Sequence, residues 1–369
     1  MKGKQTVILI SLVLLFIAYI YDTNMKPVEN MQVLSGAGYD IIEEVDGHIT
    51  YSIPLSVYVF GEDNKITGEI KTGIGSTIGL TRGDRQRKSD NKFLLGLEKV
   101  YVISEDYAKF GIRNILDVLF TNPEVNDMGA VIVYSGKAEE LLSYQVNGYP
   151  TSSDYLEGVI KNAQGYNFFT NNYKLTDVFV KVDSEGRKAL IPYVEIKKTG
   201  PEVTGFAIFN KDKMVDKVNM QEGKILNLLR EKKSRGSLNL QKDAKSYVDY
   251  YCEARRKVKA EKDGDNYKFI IDLNLEGDIT SNEEFPSVID NPELKKKLEA
   301  ELSDKIEAEC NAFIQTMKCE YKLDLLELGR VAAANFGRHQ NKDWDKIVST
   351  SDIKVNVKVK IDKEGRGNY

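Results

Sequence analysis

The chain has 369 residues, with 52 Lys+Arg against 56 Asp+Glu and a formal net charge of −4. Apolar residues make up 41% and charged residues 29%, which fits a globular chain of two or three domains and excludes a disordered one. The near-even charge argues against a nucleic-acid partner, and two histidines with three cysteines almost exclude a structural zinc site or a disulfide framework.

Lys2 and Lys4 precede an uncharged run built from Val7, Ile8, Leu9, Ile10, Leu12, Val13, Leu14, Leu15, Phe16, Ile17, Tyr19, Ile20 and Tyr21. A soluble helix would carry a polar stripe, and this segment has none beyond Ser11. At ~1.5 Å per residue, residues 7–21 cover roughly 22 Å, between a secretory leader and a minimal span of ~30 Å. Ala18-Tyr19-Ile20 lacks the small residues that cleavage needs, and the first cysteine, Cys252, is far too distant for a lipoprotein leader. Segment 1–24 therefore reads as a retained membrane anchor, with the lysines cytoplasmic and the rest of the chain outside.

Residues 22–30 read as a short tether. Strand-like segments follow at 33–38 and Ile49–Phe60, joined by an Asp46-Gly47 hairpin signal. A turn-rich stretch, 72–79, leads to the basic run Arg82, Arg85, Arg87 and Lys88. Residues 99–103 form a compact strand, and Ser104 caps a helix expected over 105–120. Ala130–Tyr134 is a second strand, predicted parallel to the first, and a helix at 137–143 follows. Residues 145–172, rich in Asn, Gly, Tyr and Ser, read as a surface loop or small insert. Strands are expected at 178–182 and 189–197.

Thr199-Gly200-Pro201 then marks the boundary between an N-terminal domain, 25–199, and a C-terminal domain, 200–369. Segments 205–210 and 214–218 make a hairpin about Lys211-Asp212-Lys213, a helix is expected at 224–233, and strands at 248–261 and 269–276. The clearest helix begins with Asn291 as cap and Pro292 at its first position; Leu294, Leu298, Leu302, Ile306 and Cys310 recur every four residues. Residues 353–361 alternate as a strand. The fold class is α+β: mixed β-sheets flanked by helices in several domains, behind an N-terminal anchor helix.

Catalytic constellations are not apparent. Gly73-Ile-Gly75-Ser-Thr-Ile-Gly79 lacks a GK[ST] ending and has its last glycine one residue late for a dinucleotide loop, so it reads as a turn. The basic run reads as a solvated face, with lipid phosphate or an acidic partner as the functional alternative. Cys310 and Cys319 fall on opposite faces of one helix, too far apart to bridge, and read as buried apolar cysteines. His48 and His339 are isolated in sequence. Glu43-Glu44 and Glu283-Glu284 point to opposite faces of any strand. Trp344 reads as packing. No catalytic, metal or cofactor residue is assigned.

Together the segments resemble the C subunit of spore-germination receptors, the Ger(x)C family. The match rests on collinear pieces: 33–40 as an opening G-x-G-x-D strand, 100–112 with 115–119, the hairpin 205–214, and the long helix leading to Asp324-Leu-Leu-Glu-Leu-Gly329, Trp344 and the final strand. The resemblance implies a non-enzymatic subunit on the outer face of the spore inner membrane. It also implies assembly with two multi-pass subunits, A and B, into a receptor for small germinants needed for germinant signalling. The chain departs from the family in two places: it has no lipidation cysteine, and Glu327 stands where the aspartate-to-glycine motif usually carries a glycine. Two other readings compete. One is an extracytoplasmic solute-binding module with Tyr149, Tyr155, Tyr166, Phe168 and Phe169 lining a cleft; the other is a membrane-tethered envelope hydrolase.

Overall fold

The computed structural model describes residues 2–22, 31–43, 47–61, 65–284, 288 and 290–364. Helix α1 (Lys2–Asp22) covers the apolar segment. The side chains of Leu9, Ile10 and residues 12–17 stand exposed, whereas the side chains at 7, 8 and 19–21 lie outside the described set. The expected anchor is thus met as a helix but not as a span: among the described residues no helix is long and apolar enough to cross a membrane.

Strands β1 (Met31–Glu43) and β2 (Ile49–Phe60) pair antiparallel as expected, although Asp46 of their turn lies outside the described residues. The stretch expected as turns is instead the end of β3 (Ile66–Gly75) followed by α2 (Ile78–Gln86), with Thr77 accepting from the Leu80 N–H as its cap. After β4 (Lys92–Leu94) and β5 (Val100–Ser104), Ser104 caps α3 (Glu105–Phe110) by accepting from the Tyr107 N–H. The helix expected to run to 120 breaks at Gly111, whose φ of 131° no other residue adopts readily, and resumes as α4 (Arg113–Thr121).

β6 (Ala130–Tyr134) pairs parallel with β5, as predicted, and α5 (Ala138–Ser143) follows. Two readings are corrected here. Residues 145–172, read as a surface loop or small insert, contain α6 (Ser152–Ala163), started by a Thr151–Asp154 capping box, which corrects the loop alternative. Residues 178–182 belong to α7 (Leu175–Asp183), where Leu175, Val178 and Val182 share one buried helical face.

β7 (Leu190–Lys197), β8 (Gly200–Asn210) and β9 (Lys213–Asn219) then complete one sheet in the order β3-β2-β1-β5-β6-β7-β8-β9, with β4 paired to β1. Its centre is parallel and its flanks are antiparallel hairpins. The Lys198–Thr199 turn joins two neighbouring strands of this sheet. Helix α8 (Met220–Arg230) leads to a second sheet, β10-β11-β12-β13, formed by Lys233–Asp243, Ser246–Asp263, Asn266–Asn282 and Asp352–Glu364. Strand β10 has no counterpart in the sequence reading. Helices α9 (Pro292–Thr316), α10 (Leu328–Phe336) and α11 (Trp344–Thr350) fall between β12 and β13, which pair parallel.

Strand β5 is buried on both faces, as central parallel strands are. Tyr101 and Ile103 enter one core with α3, α4 and α7. Val100 and Val102 enter a second core, which continues through Leu226 and Leu229 of α8 into β11, β12, β13 and α9. Helix α8 is therefore common packing for both sheets.

Candidate functional site

The most concentrated buried charge lies at the end of α8, where the two sheets meet. Arg230 closes the helix with its side chain 3% exposed. Its Nη2 donates to Glu327 Oε1 at 2.7 Å and to the Lys188 carbonyl at 2.5 Å, and its Nη1 donates to the Leu325 carbonyl at 3.1 Å. Arg256 of β11 donates to the carbonyls of Arg230 at 3.1 Å and Leu326 at 2.8 Å. Arg330 donates to Glu327 Oε2 at 3.0 Å, and Arg187 lies 3.8 Å from the same oxygen.

Glu327 has φ 55° and ψ 35°, the left-handed conformation that disfavours a Cβ. Its carboxylate sits among three arginines, Arg230, Arg330 and Arg187. Burial raises the pKa of Glu327, but Arg230, Arg187, Lys181 and the Arg330 hydrogen bond outweigh it and hold the carboxyl below its usual range. Three residues earlier, Asp324 accepts from the Leu328 N–H at 3.0 Å and the Gly329 N–H at 2.6 Å, the first turn of α10. Burial pushes Asp324 up to about 6 against those hydrogen bonds. Burial and the nearby Arg230 lower Lys181 to about 8.

A second set of contacts reinforces the joint. Lys188 Nζ reaches Asp345 Oδ2 at 2.7 Å, Asp345 Oδ1 accepts from the Asp324 N–H at 2.9 Å, and Trp344 Nε1 donates to Glu185 at 3.0 Å. Trp344 packs in the core as expected, edge-on to Tyr267. The chemistry of this site is fixation: cations from β11, α7, α8 and the 187–188 segment converge on the two carboxylates of one loop. Asp324 and Glu327 lie in the motif quoted from the sequence; Arg230 and Arg256 join them through long-range contacts that carry no local signature.

The remaining candidates are dispersed. Arg87 and Lys88 pair with Asp84 on the surface, but Arg85 is buried, contrary to the solvated-face reading. Cys252 and Cys310 are buried, with Cys252 pushed up to about 12 by burial, whereas Cys319 is exposed, which corrects the reading of that residue. His48 and His339 stand exposed. The Glu43-Glu44 side chains lie outside the described set, and Glu284 pairs with Lys242. Among the described residues no group of three or more His, Cys, Asp or Glu is placed to hold a metal ion. The aromatics of the solute-binding reading form no common cleft. Phe168 and Phe169 are core residues, Tyr149 packs on Tyr155, and Tyr166 packs on Tyr251.

Comparison with known proteins agrees with this architecture. Residues 24–196 match the family model described as spore germination protein N-terminal domain, and residues 204–365 match spore germination B3/GerAC like, C-terminal. The spore germination protein GerQC of Bacillus cereus is 24% identical over 352 residues, 92% of this chain and 94% of that protein. The crystal structure of the GerBC protein superposes with a TM-score of 0.53 at 18% identity, covering 90% of this chain and 99% of that one, and shares the fold. Both halves thus define a GerAC-like spore-germination protein. The chain belongs to the Ger(x)C family of germinant receptor C subunits.

Proposed function

We propose that this chain is the non-enzymatic C subunit of a nutrient germinant receptor, needed for receptor assembly and germinant signalling. Its bulk would sit on the outer face of the spore inner membrane beside the multi-pass A and B subunits. The observation that carries the reading is the family match over both halves, with GerQC similar along nearly its full length. The charged joint supports it. Groups that would have to be mobile or exposed for chemistry are instead tied to backbone carbonyls and N–H groups across the two sheets.

Exposed α1 side chains support a tether. A run of about 15 apolar residues is shorter than the hydrocarbon core, so it would embed with local thinning of the bilayer and Lys2 and Lys4 at the headgroups. Tethering raises the effective concentration beside membrane partners, so weak lateral contacts suffice for assembly. Deleting the chain from a spore-former tests the reading: the response to specific germinants is lost. An unaltered response to every germinant contradicts it.

A further inference from the structure

Gly73 and Gly75, read in the sequence as turn residues, seat α2 on β3. A Cβ at Gly73 would lie 2.1 Å from the Thr81 carbonyl oxygen and 2.6 Å from Arg85 Cγ, and one at Gly75 would lie 2.8 Å from Leu80 Cβ. This close approach delivers Arg85 into a cavity of about 1090 Å³ between α2, the faces of β1, β2 and β5, the β4 segment and the end of α4. Most of the wall is apolar, with Leu34, Ile53, Leu55, Phe93 and Leu119 among its residues.

Arg85 is 8% exposed. Its hydrogen bonds run from Nη1, to the Ile53 carbonyl at 3.1 Å and Thr81 Oγ1 at 3.3 Å, both neutral acceptors, and its Nε has no partner. The adjacent carboxylate is committed elsewhere: Asp84 accepts from Lys88 Nζ at 2.6 Å, Arg87 Nη2 at 3.1 Å and the Ile74 N–H at 2.9 Å. Glu98, the buried carboxylate of the cavity wall, accepts from the N–H groups of Gly96 at 2.9 Å and Asn126 at 3.2 Å. Among the described residues no ion pair reaches Arg85. A buried guanidinium without an anion is costly, because its desolvation is uncompensated.

We infer that this cavity is a binding site for a small apolar monocarboxylate, with Arg85 as partner of the carboxylate and the apolar wall enclosing its hydrocarbon body. Arg85 is the buried cation of a wall whose other charged residues are the exposed Arg82, Lys92 and Glu124 and the N–H-bonded Glu98, and the surrounding aliphatic and aromatic side chains favour a hydrocarbon body over a polar one. Tyr39 lies in the same wall. The inference stands apart from the receptor role, because a subunit without ligands could serve assembly equally well.

The test is calorimetric titration of the full chain in phosphatidylcholine nanodiscs, against empty nanodiscs, with hexanoate, its neutral isostere hexanamide, and inorganic phosphate. Hexanoate is expected to bind at least about tenfold more tightly than hexanamide. Arg85→Met, checked for folding by circular dichroism, should remove that preference, and Arg85→Lys should restore part of it. No hexanoate binding, equal binding of the two hexanoyl compounds, or tighter binding of phosphate overturns the assignment. The comparison of the two hexanoyl compounds on the unaltered chain decides the question even if the Met variant does not fold.

Discussion

Arg230 and Glu327 lie 97 residues apart in sequence, yet Nη2 and Oε1 meet at 2.7 Å between the two sheets, with Glu327 in a left-handed conformation. The pair fastens the end of α8 to the loop before α10. Glu327→Gln leaves the buried Arg230 with only the more distant carboxylate of Glu231, 3.7 Å from its Nε, and should cost about 3 kcal/mol in chemical denaturation. Glu327→Gly also loses the carboxylate but relieves the backbone, so it should cost about 1 kcal/mol less. With Arg230→Met the effects should be non-additive by about 1–3 kcal/mol, and strictly additive losses would show that the pair does not couple.

Asp324 gives the joint a pH dependence of definite sign. Its proton is held more tightly in the fold than in the unfolded chain, where the ordinary value is 3.8. Its contribution is therefore full below that value and is lost as pH rises through about 6. Glu327, held low, contributes in the opposite sense: its share is present above its ordinary value and fades as pH falls. Asp324→Asn removes the first of these. The melting temperature of the unaltered chain relative to this variant should fall between pH 4 and 7, by the equivalent of roughly 3 kcal/mol. A difference that does not change with pH contradicts this reading.

The polar face of α9 covers the outer edge of the second sheet. Glu299, Ser303 and Glu307, four residues apart, accept from the N–H groups of Ile361 at 2.9 Å, Val359 at 3.2 Å and Val357 at 3.3 Å. An edge strand left open is a template for pairing with another chain. Each Ala substitution here should cost about 1 kcal/mol, and the triple variant should self-associate, as read by light scattering against concentration. A monodisperse triple variant would show that this ladder does not protect the edge.

Thiol accessibility should divide the cysteines cleanly. Cys319 is exposed, while Cys252 and Cys310 are buried with thiols raised by burial. Iodoacetamide should add one label to the native chain and three after denaturation, by intact mass. Labelling of Cys252 or Cys310 in the native state at a rate comparable with Cys319 would contradict the packing of α9 on the second sheet.

Where one face of an element is buried, its sequence announces it. Leu298, Leu302, Ile306 and Cys310 mark α9, and Val355, Val359 and Ile361 mark β13. Where local preference and tertiary packing diverge, the reading fails. The Val-Phe-Val run of 178–180 favours a strand, yet Leu175, Val178 and Val182 bury one helical stripe of α7. The loop-like composition of 145–172 hides α6, although Thr151 with Asp154 three residues on is a capping-box spacing. The burial of Arg85 and the meeting of Arg230, Arg256, Asp324 and Glu327 depend on contacts between distant segments, which no local period records. The left-handed backbone of Glu327 and its three arginines likewise leave no mark in the local sequence.

The most direct measurement of the receptor reading is affinity purification of the tagged, full-length chain from spore inner membranes, with its companions identified by mass spectrometry. Two multi-pass membrane proteins should co-purify reproducibly, and the Glu327→Gln chain should recover less of them. A chain recovered alone from the membrane fraction, or found free in low-salt soluble extracts, contradicts the account.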